Sequence, residues 1–288
     1  MRIYFAVTAE DYPECAKVGR DFAFVAYRIG ERSALLRRNL PLQTRGGLLC
    51  LNDRDAPLVD NPAELCAAVL RECPRRGFTG VVLDFETQLA PEDTGTDAHS
   101  GGDTSERGAN APDIPREDLR AFAGLLNRRL RETGRMLYVP SAYASAAPEA
   151  VVLVCTAISG GNFRAYLQEE VERRGGGKIA LDVQRLRMDF TLPAPTGEGT
   201  PLTQEEFAAR AEGKAVYFSP DLCARYFTQT RFKEAKNGRA QSGEPHFVLF
   251  DDADTLNQKI KIGEELGIKT AFLQWPEVKD LAGKLQVE

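Results

Sequence analysis

The chain has 288 residues, 43% of them hydrophobic, with 37 basic and 42 acidic side chains and a formal net charge of −5. That length suits two ordinary domains or one α/β barrel of about 250 residues, and the acidic balance argues against a nucleic-acid partner. No apolar stretch approaches the 18 or so residues of a membrane-spanning helix, so no membrane partner is expected.

The N-terminal residues Met1-Arg2-Ile3-Tyr4-Phe5-Ala6-Val7 read directly as a strand. They lack the basic region, long apolar stretch and small-residue cleavage site of a signal peptide, so synthesis for the cytoplasm is expected. Strand-like apolar runs follow at 22–29, 47–52, 79–86, 135–142, 150–157, 178–183 and 269–275, with a further piece at 246–250. Helical patterns lie between several of them, at 61–73, 117–132, 163–174 and 255–266. In 117–132, Leu119, Phe122, Leu126 and Leu130 mark one face against Arg and Glu on the other. Thr203-Gln204-Glu205-Glu206 fits a capping box opening a helix at 204–211.

Strand–helix alternation repeated eight times predicts a parallel sheet closed as a (β/α)8 TIM barrel spanning residues 1–288. An open doubly wound sheet is the alternative, but no G-x-G-x-x-G follows the first strand. Residues 88–116 are rich in Gly, Asp, Thr, Ser and Ala and read as a flexible low-complexity insertion. Residues 191–250 are too long for a simple connection, with strand-like pieces at 215–218, 225–229 and 246–250, and read as a small α+β subdomain before the last helix and strand.

The six cysteines, Cys15, Cys50, Cys66, Cys73, Cys155 and Cys223, show no C-x-x-C spacing and read as reduced structural thiols. With only His99 and His246, a Ser-His-Asp or Cys-His mechanism has few candidates. Asp251, Asp252 and Asp254 do not follow EF-hand spacing, and Asp254 or Thr255 serves as an N-cap. No metal and no organic cofactor is expected.

The stretch Phe78-Thr79-Gly80-Val81-Val82-Leu83-Asp84-Phe85-Glu86 carries the chemistry. On a strand, Asp84 and Glu86 point the same way, roughly 7 Å apart, while Val81, Leu83 and Phe85 point to the opposite face. Two acids at the end of a buried strand are costly without a role, although a pair solvated there or matched by nearby arginines is the plainer reading. A Glu beside a second carboxylate in a partly dry pocket should have its pKa raised, which suits acid/base chemistry. Tyr27, Asn52 and Tyr143 also sit at predicted strand ends and either line the cleft or pack structurally. Arg185, Arg187 and Asp189 either contact a charged sugar or pair with one another.

Gly80-Val81-Val82-Leu83-Asp84-Phe85-Glu86 resembles the strand-four signature of glycoside hydrolase family 18, D-G-x-D-x-D-x-E, which in the spore-cortex-lytic N-acetylglucosaminidase branch reads G-V-N-I-D-F-E. His246-Phe247-Val248-Leu249-Phe250-Asp251-Asp252-Ala253-Asp254-Thr255-Leu256-Asn257-Gln258-Lys259 resembles the family's H-x-V-W-x-x-D-x-x-S-x-x-x-K segment leading into the last helix. Phe272-Leu273-Gln274-Trp275 resembles a last strand ending in tryptophan, and Met188-Asp189-Phe190-Thr191-Leu192-Pro193 resembles Y-D-W-x-x-P. Phe24-Val25-Ala26-Tyr27 and Leu49-Cys50-Leu51-Asn52 are fainter echoes, and the matches keep the family's order along the chain.

The resemblance implies a glycosidase acting on β-linked N-acetylglucosamine glycan, of the spore-cortex, peptidoglycan or chitin type, with retention of configuration and an association with the spore. It assigns Glu86 as general acid, and Asp84 as the residue that orients the substrate's own acetamido group for attack. Trp275 becomes the floor under the sugar, and Tyr27, Asn52, Tyr143 and Asp189 become substrate contacts. Two departures stand out: Val82 replaces a supporting acid, and Cys155-Thr156-Ala157 lacks the tyrosine of the family's M-x-Y. They motivate a second expectation, a weakened or inactive barrel that binds glycan or a protein partner. A barrel enzyme with another substrate is a third.

Overall fold

Strand alternation closes this chain into a ring. The computed structural model describes residues 1–85, 116–194, 197, 199–231 and 243–286. Glu86, and all of the expected 88–116 insertion except Arg116, lie outside the described residues. In chain order come β1 (Arg2–Val7), α1 (Tyr12–Cys15), β2 (Asp21–Ile29), β3 (Leu35–Arg37), β4 (Leu48–Asn52), α2 (Pro62–Arg76) and β5 (Gly80–Asp84). Then follow α3 (Glu117–Glu132), β6 (Met136–Pro140), β7 (Val151–Cys155), α4 (Phe163–Arg174) and β8 (Ile179–Val183). After a subdomain, α6 (Ala253–Glu265), β14 (Thr270–Gln274) and α7 (Trp275–Val278) complete the chain.

Eight strands pair in parallel in the order β1-β2-β4-β5-β6-β7-β8-β14, and β14 returns to β1 with Phe272 beside Tyr4. This is the expected TIM barrel. Its interior is filled by one set of alternate residues, among them Tyr4, Leu48, Cys50, Val82, Tyr138 and Phe272. The Tyr4 and Phe272 rings stack at 5.3 Å, and Tyr138 meets Phe272 edge-on at 5.0 Å. The opposite parity, including Leu49, Val81, Leu83 and Leu273, joins Leu65 and Val69 of α2 and Leu119 and Phe122 of α3 in the outer layer. Each such fully buried side chain contributes roughly 1.5–3 kcal/mol. Gly80 lets β5 and β6 approach, because a Cβ there would lie 2.6 Å from the Met136 carbonyl oxygen.

The outer ring departs from strict alternation. Between β2 and β4 the chain folds back as β3, antiparallel to β2, instead of forming a helix. After β6 it makes only a short turn at Ser141–Tyr143. Where helices form, their ends are specified locally. The Asn61 side chain accepts from Glu64 N at the start of α2, and Gly77 ends that helix at φ 72°.

The segment read as an insertion over 191–250 forms a five-stranded antiparallel sheet, and its first strand begins earlier than expected. That strand, β9 (Arg187–Thr191), is followed by β10 (Thr200–Pro201), α5 (Gln204–Ala211), β11 (Tyr217–Ser219), β12 (Ala224–Arg231) and β13 (Glu244–Phe250). The sheet order is β10-β9-β13-β12-β11. Helix α5 opens on the Thr203–Glu206 capping box and covers one face, where Phe207 lies 4.7 Å from Phe250.

A buried ion pair clasps this subdomain to the barrel. Lys259 Nζ lies 2.8 Å from Asp251 Oδ2, with both side chains wholly excluded from solvent. Asp251 also accepts from Leu186 N at 3.0 Å and from Thr255 Oγ1 at 2.9 Å, and its own N–H donates to Leu186 O at 2.9 Å. Lys259 additionally lies 5.7 Å from the Phe163 ring centroid of α4. Asp252, rather than Asp254 or Thr255, caps α6, with Thr255 completing the box, because the helix begins at Ala253, two residues before the expected 255. Asp252 and Asp254 both bind Arg225, so the acidic run has structural partners.

Removing one partner of a buried ion pair leaves an uncompensated charge, at about 3–5 kcal/mol. Lys259→Met should therefore lower unfolding free energy by about that amount in a denaturant titration. Adding Asp251→Asn should recover part of it, since a neutral amide oxygen still accepts from Leu186 N.

Candidate active site

The C-terminal ends of the barrel strands carry the inward parity onto polar residues. Following Leu48 and Cys50, the next inward position of β4 is Asn52. Following Val82, the next of β5 is Asp84, and β8 and β14 similarly end on Asp182 and Gln274. All four are half-buried. Asn52 and Asp84 are register partners across β4 and β5, and Asn52 Nδ2 donates to Asp84 Oδ2 at 3.0 Å. The Asn52 side-chain oxygen accepts from Arg54 N at 2.6 Å, which fixes the amide's orientation. Asp182 accepts from Gln184 Nε2 at 2.7 Å.

Among the described residues, Asp84, Asn52, Asp182, Gln184 and Gln274 line a cavity of about 680 Å³ at the mouth. A second depression of about 590 Å³ shares Asp84, Asp182 and Gln184 and runs on past Ser141 and Tyr166. The two together make an open cleft across the barrel end, a concave site of ligand-binding size.

Burial pushes the Asp84 carboxyl above its usual range. The Asn52 hydrogen bond and the Arg54 charge pull it down, while Asp53 adds to the rise. The mouth thus holds a carboxyl with raised proton affinity. Burial also raises the thiols of Cys50 and Cys155, so neither is an activated nucleophile.

Of the residues singled out from sequence, Asp84 and Asn52 meet at the mouth; Glu86 lies outside the described residues. Tyr27 borders the cavity but sends its side chain into the outer layer, and the other three lie elsewhere. Tyr27 was expected to face inward, but an irregularity between Val25 and Tyr27 reverses the parity of β2. Its hydroxyl donates to Glu72 Oε1 at 3.0 Å in the outer layer. Tyr143 lies in the turn after β6 and packs edge-on against Phe85 at 5.4 Å. Trp275 falls one position beyond Gln274, on the outward parity. It is 1% exposed and packs edge-on against Phe5 at 5.7 Å, so it is no floor to the mouth. Asp189 lies on the α5-covered face of the subdomain, bound to Arg210 and 2.9 Å from His246 Nδ1.

Arg185 and Arg187 do not pair with Asp189. Arg185 binds Asp280 at 2.7 Å and the Glu277 carbonyl at 2.9 Å, while Arg187 binds Gln204 at 2.6 Å. Val82 lies in the apolar interior beneath Asp84, between Cys50 and Tyr138. Ala157 packs toward the subdomain core. Sequence reasoning missed Asp182, although a lone acid inside Ile179-Ala180-Leu181-Asp182-Val183 is the same signal that marks Asp84.

No protein-family model matches the sequence, and no curated protein matches it either. Solved structures do share the fold. The spore cortex-lytic enzyme SleL of Bacillus megaterium QM B1551 superposes with TM-score 0.59 at 17% identity, covering 100% of this chain and 74% of that one. A family 18 chitinase from Cycas revoluta, a substituted form in complex with (GlcNAc)4, gives TM-score 0.59 at 12% identity over 99% and 98% of the two chains. The second catalytic domain of the Ostrinia furnacalis Group II chitinase gives 0.57 at 12% over 94% and 88%. At these identities the likeness establishes a common barrel fold.

Two measurements test the electrostatics of the mouth. In a carboxyl NMR titration Asp84 should titrate above the ordinary 3.8, and Asn52→Ala should raise it further by removing the hydrogen bond that favours the carboxylate. A carboxyl whose folded pKa exceeds its unfolded one contributes stability below the unfolded pKa and loses it as pH rises through the folded one. Asp84→Asn should therefore raise the melting temperature at neutral pH, and that gain should vanish below about pH 3.8.

Proposed function

We propose that this chain is a glycoside hydrolase acting on glycan that contains β-linked N-acetylglucosamine. The observation that carries the reading is Asp84: an inward carboxyl at the barrel mouth, raised in proton affinity by burial, oriented by Asn52 and two residues before Glu86. The fold shared with chitinases and a spore cortex-lytic enzyme supports the same choice.

In this mechanism Glu86 protonates the glycosidic oxygen. The substrate's acetamido oxygen attacks the anomeric carbon from the opposite face, and Asp84 holds the acetamido N–H and balances the charge that develops there. Asn52 fixes Asp84 from the side, so the carboxyl needs no rearrangement as charge appears. Water then opens the cyclic intermediate with Glu86 acting as base, so configuration at the anomeric carbon is retained. Asp182, Gln184 and Gln274 supply polar contacts to sugar hydroxyls.

The mouth is sparer than this chemistry ordinarily uses. No tyrosine hydroxyl stands at Ala157 to hold the acetamido oxygen, and a missing donor of this kind typically costs about 10²–10³ in rate. Slow turnover is the expectation. A second reading, a barrel that binds glycan without cutting it, is favoured by Val82 beneath Asp84 and by the outward-turned Trp275.

Incubation of the purified protein with N-acetylglucosamine oligomers and with peptidoglycan separates the two. The glycosidase reading expects product from the wild type and about 10²–10⁴-fold less from Glu86→Gln. Equal binding by both proteins with cleavage by neither would establish the binding module instead.

A further inference from the structure

The irregularity in β2 that turns Tyr27 outward also turns Arg28 toward the mouth, where it lines the same cavity as Asp84. In the β2–β3 hairpin Arg28 lies opposite Leu36, while Arg38, two residues on, donates its backbone N–H to Ala26 O at 2.7 Å. That register puts Arg38 on the same side as Arg28, and it lines the cavity too. Arg37, between Leu36 and Arg38, points the other way and is neutralised by Glu72 at 3.1 Å. Arg28 and Arg38 have no ion-pair partner among the described residues, and both are exposed. Arg54, two residues beyond β4, also lines the cavity.

The lining carries Asp55, Asp84, Asp182 and Glu277 as well as Arg54, and Arg28 and Arg38 are its two cations from the β2–β3 hairpin. Arg28, Asn52 and Asp84 form one register row across three neighbouring strands. Adjacent strands lie about 4.8 Å apart, so the Arg28 backbone is roughly 10 Å from that of Asp84. A sugar over Asp84 would thus place its neighbour in the chain toward the guanidinium groups. Guanidinium groups match a carboxylate in charge and in bidentate geometry, whereas neutral hydroxyls and acetamides use neither.

We propose that Arg28 and Arg38 form a subsite for a carboxylate on the saccharide unit next to the N-acetylhexosamine over Asp84, making the substrate an acidic glycan. This rests on the glycan reading of the mouth. The carboxylate is that of a lactyl ether, as on muramic acid, or of a uronic acid; both present the same planar anion.

Binding is measured calorimetrically on Glu86→Gln, so that hydrolysis does not intervene. The probes are chitotetraose, a peptide-free tetrasaccharide of alternating N-acetylglucosamine and N-acetylmuramic acid, and a hyaluronan tetrasaccharide. At low salt one acidic probe should bind about tenfold tighter than chitotetraose, and which one it is identifies the carboxylate. The preference should shrink as salt is raised. It should disappear in Arg28→Ala/Arg38→Ala, with chitotetraose affinity unchanged. Both side chains are exposed, so the double variant should melt as the parent does. Equal affinity for all three probes, or a preference that survives the double substitution, overturns the inference and leaves the glycosidase reading standing. Failure to bind any of the three overturns both.

Discussion

In a closed parallel barrel every strand has one parity sealed inside and the other pressed against the outer layer. A residue's function follows from whether its position is even or odd relative to its strand's inward set. Here that set is apolar from Tyr4 and Leu48 up to Val82 and Phe272, then changes to Asn52, Asp84, Asp182 and Gln274 within one step. The dry interior beneath Asp84 and the polar rim around it are one arrangement. The apolar residues below exclude water and raise the carboxyl's proton affinity, while the amide beside it limits the rise. Without the closed ring, Asp84 would be an ordinary solvated acid at a strand end.

The same rule accounts for what was legible in the sequence. Strand periods and apolar runs located all eight barrel strands to within about two residues at each end, because a strand buried on both faces must be nearly all apolar. Asp84 and Asn52 were legible because each continues an uninterrupted alternation. Tyr27 was not, since a single irregularity inverts every position after it and leaves no mark in composition. Trp275 fails by one step: counting the strand through to its tryptophan hides that Phe272 and Gln274 hold the inward parity.

Asp189 and the segment around Asp251 make a different point. Both lie in stretches that resemble family 18 sequences, yet each is occupied in holding the protein together: Asp189 by His246 and Arg210, Asp251 by Lys259. A carboxylate matched by a buried cation has little left to offer a ligand, and only side-chain geometry distinguishes it from one that faces a cleft. The outer ring has a hairpin after β2 and a turn after β6, where the sequence shows no helical pattern. It matters at the mouth, since the hairpin supplies Arg38.

The bond between Asp251 N and Leu186 O, 2.9 Å long, ties together the two ends of the whole five-stranded sheet. The chain leaves the barrel and rejoins it at one spot, with the join sealed from below by Lys259. A segment attached in this way behaves as a cassette: lengthening, trimming or swapping it leaves the spacing of the barrel strands untouched. Such an attachment allows the barrel and the sheet it carries to diversify at independent rates.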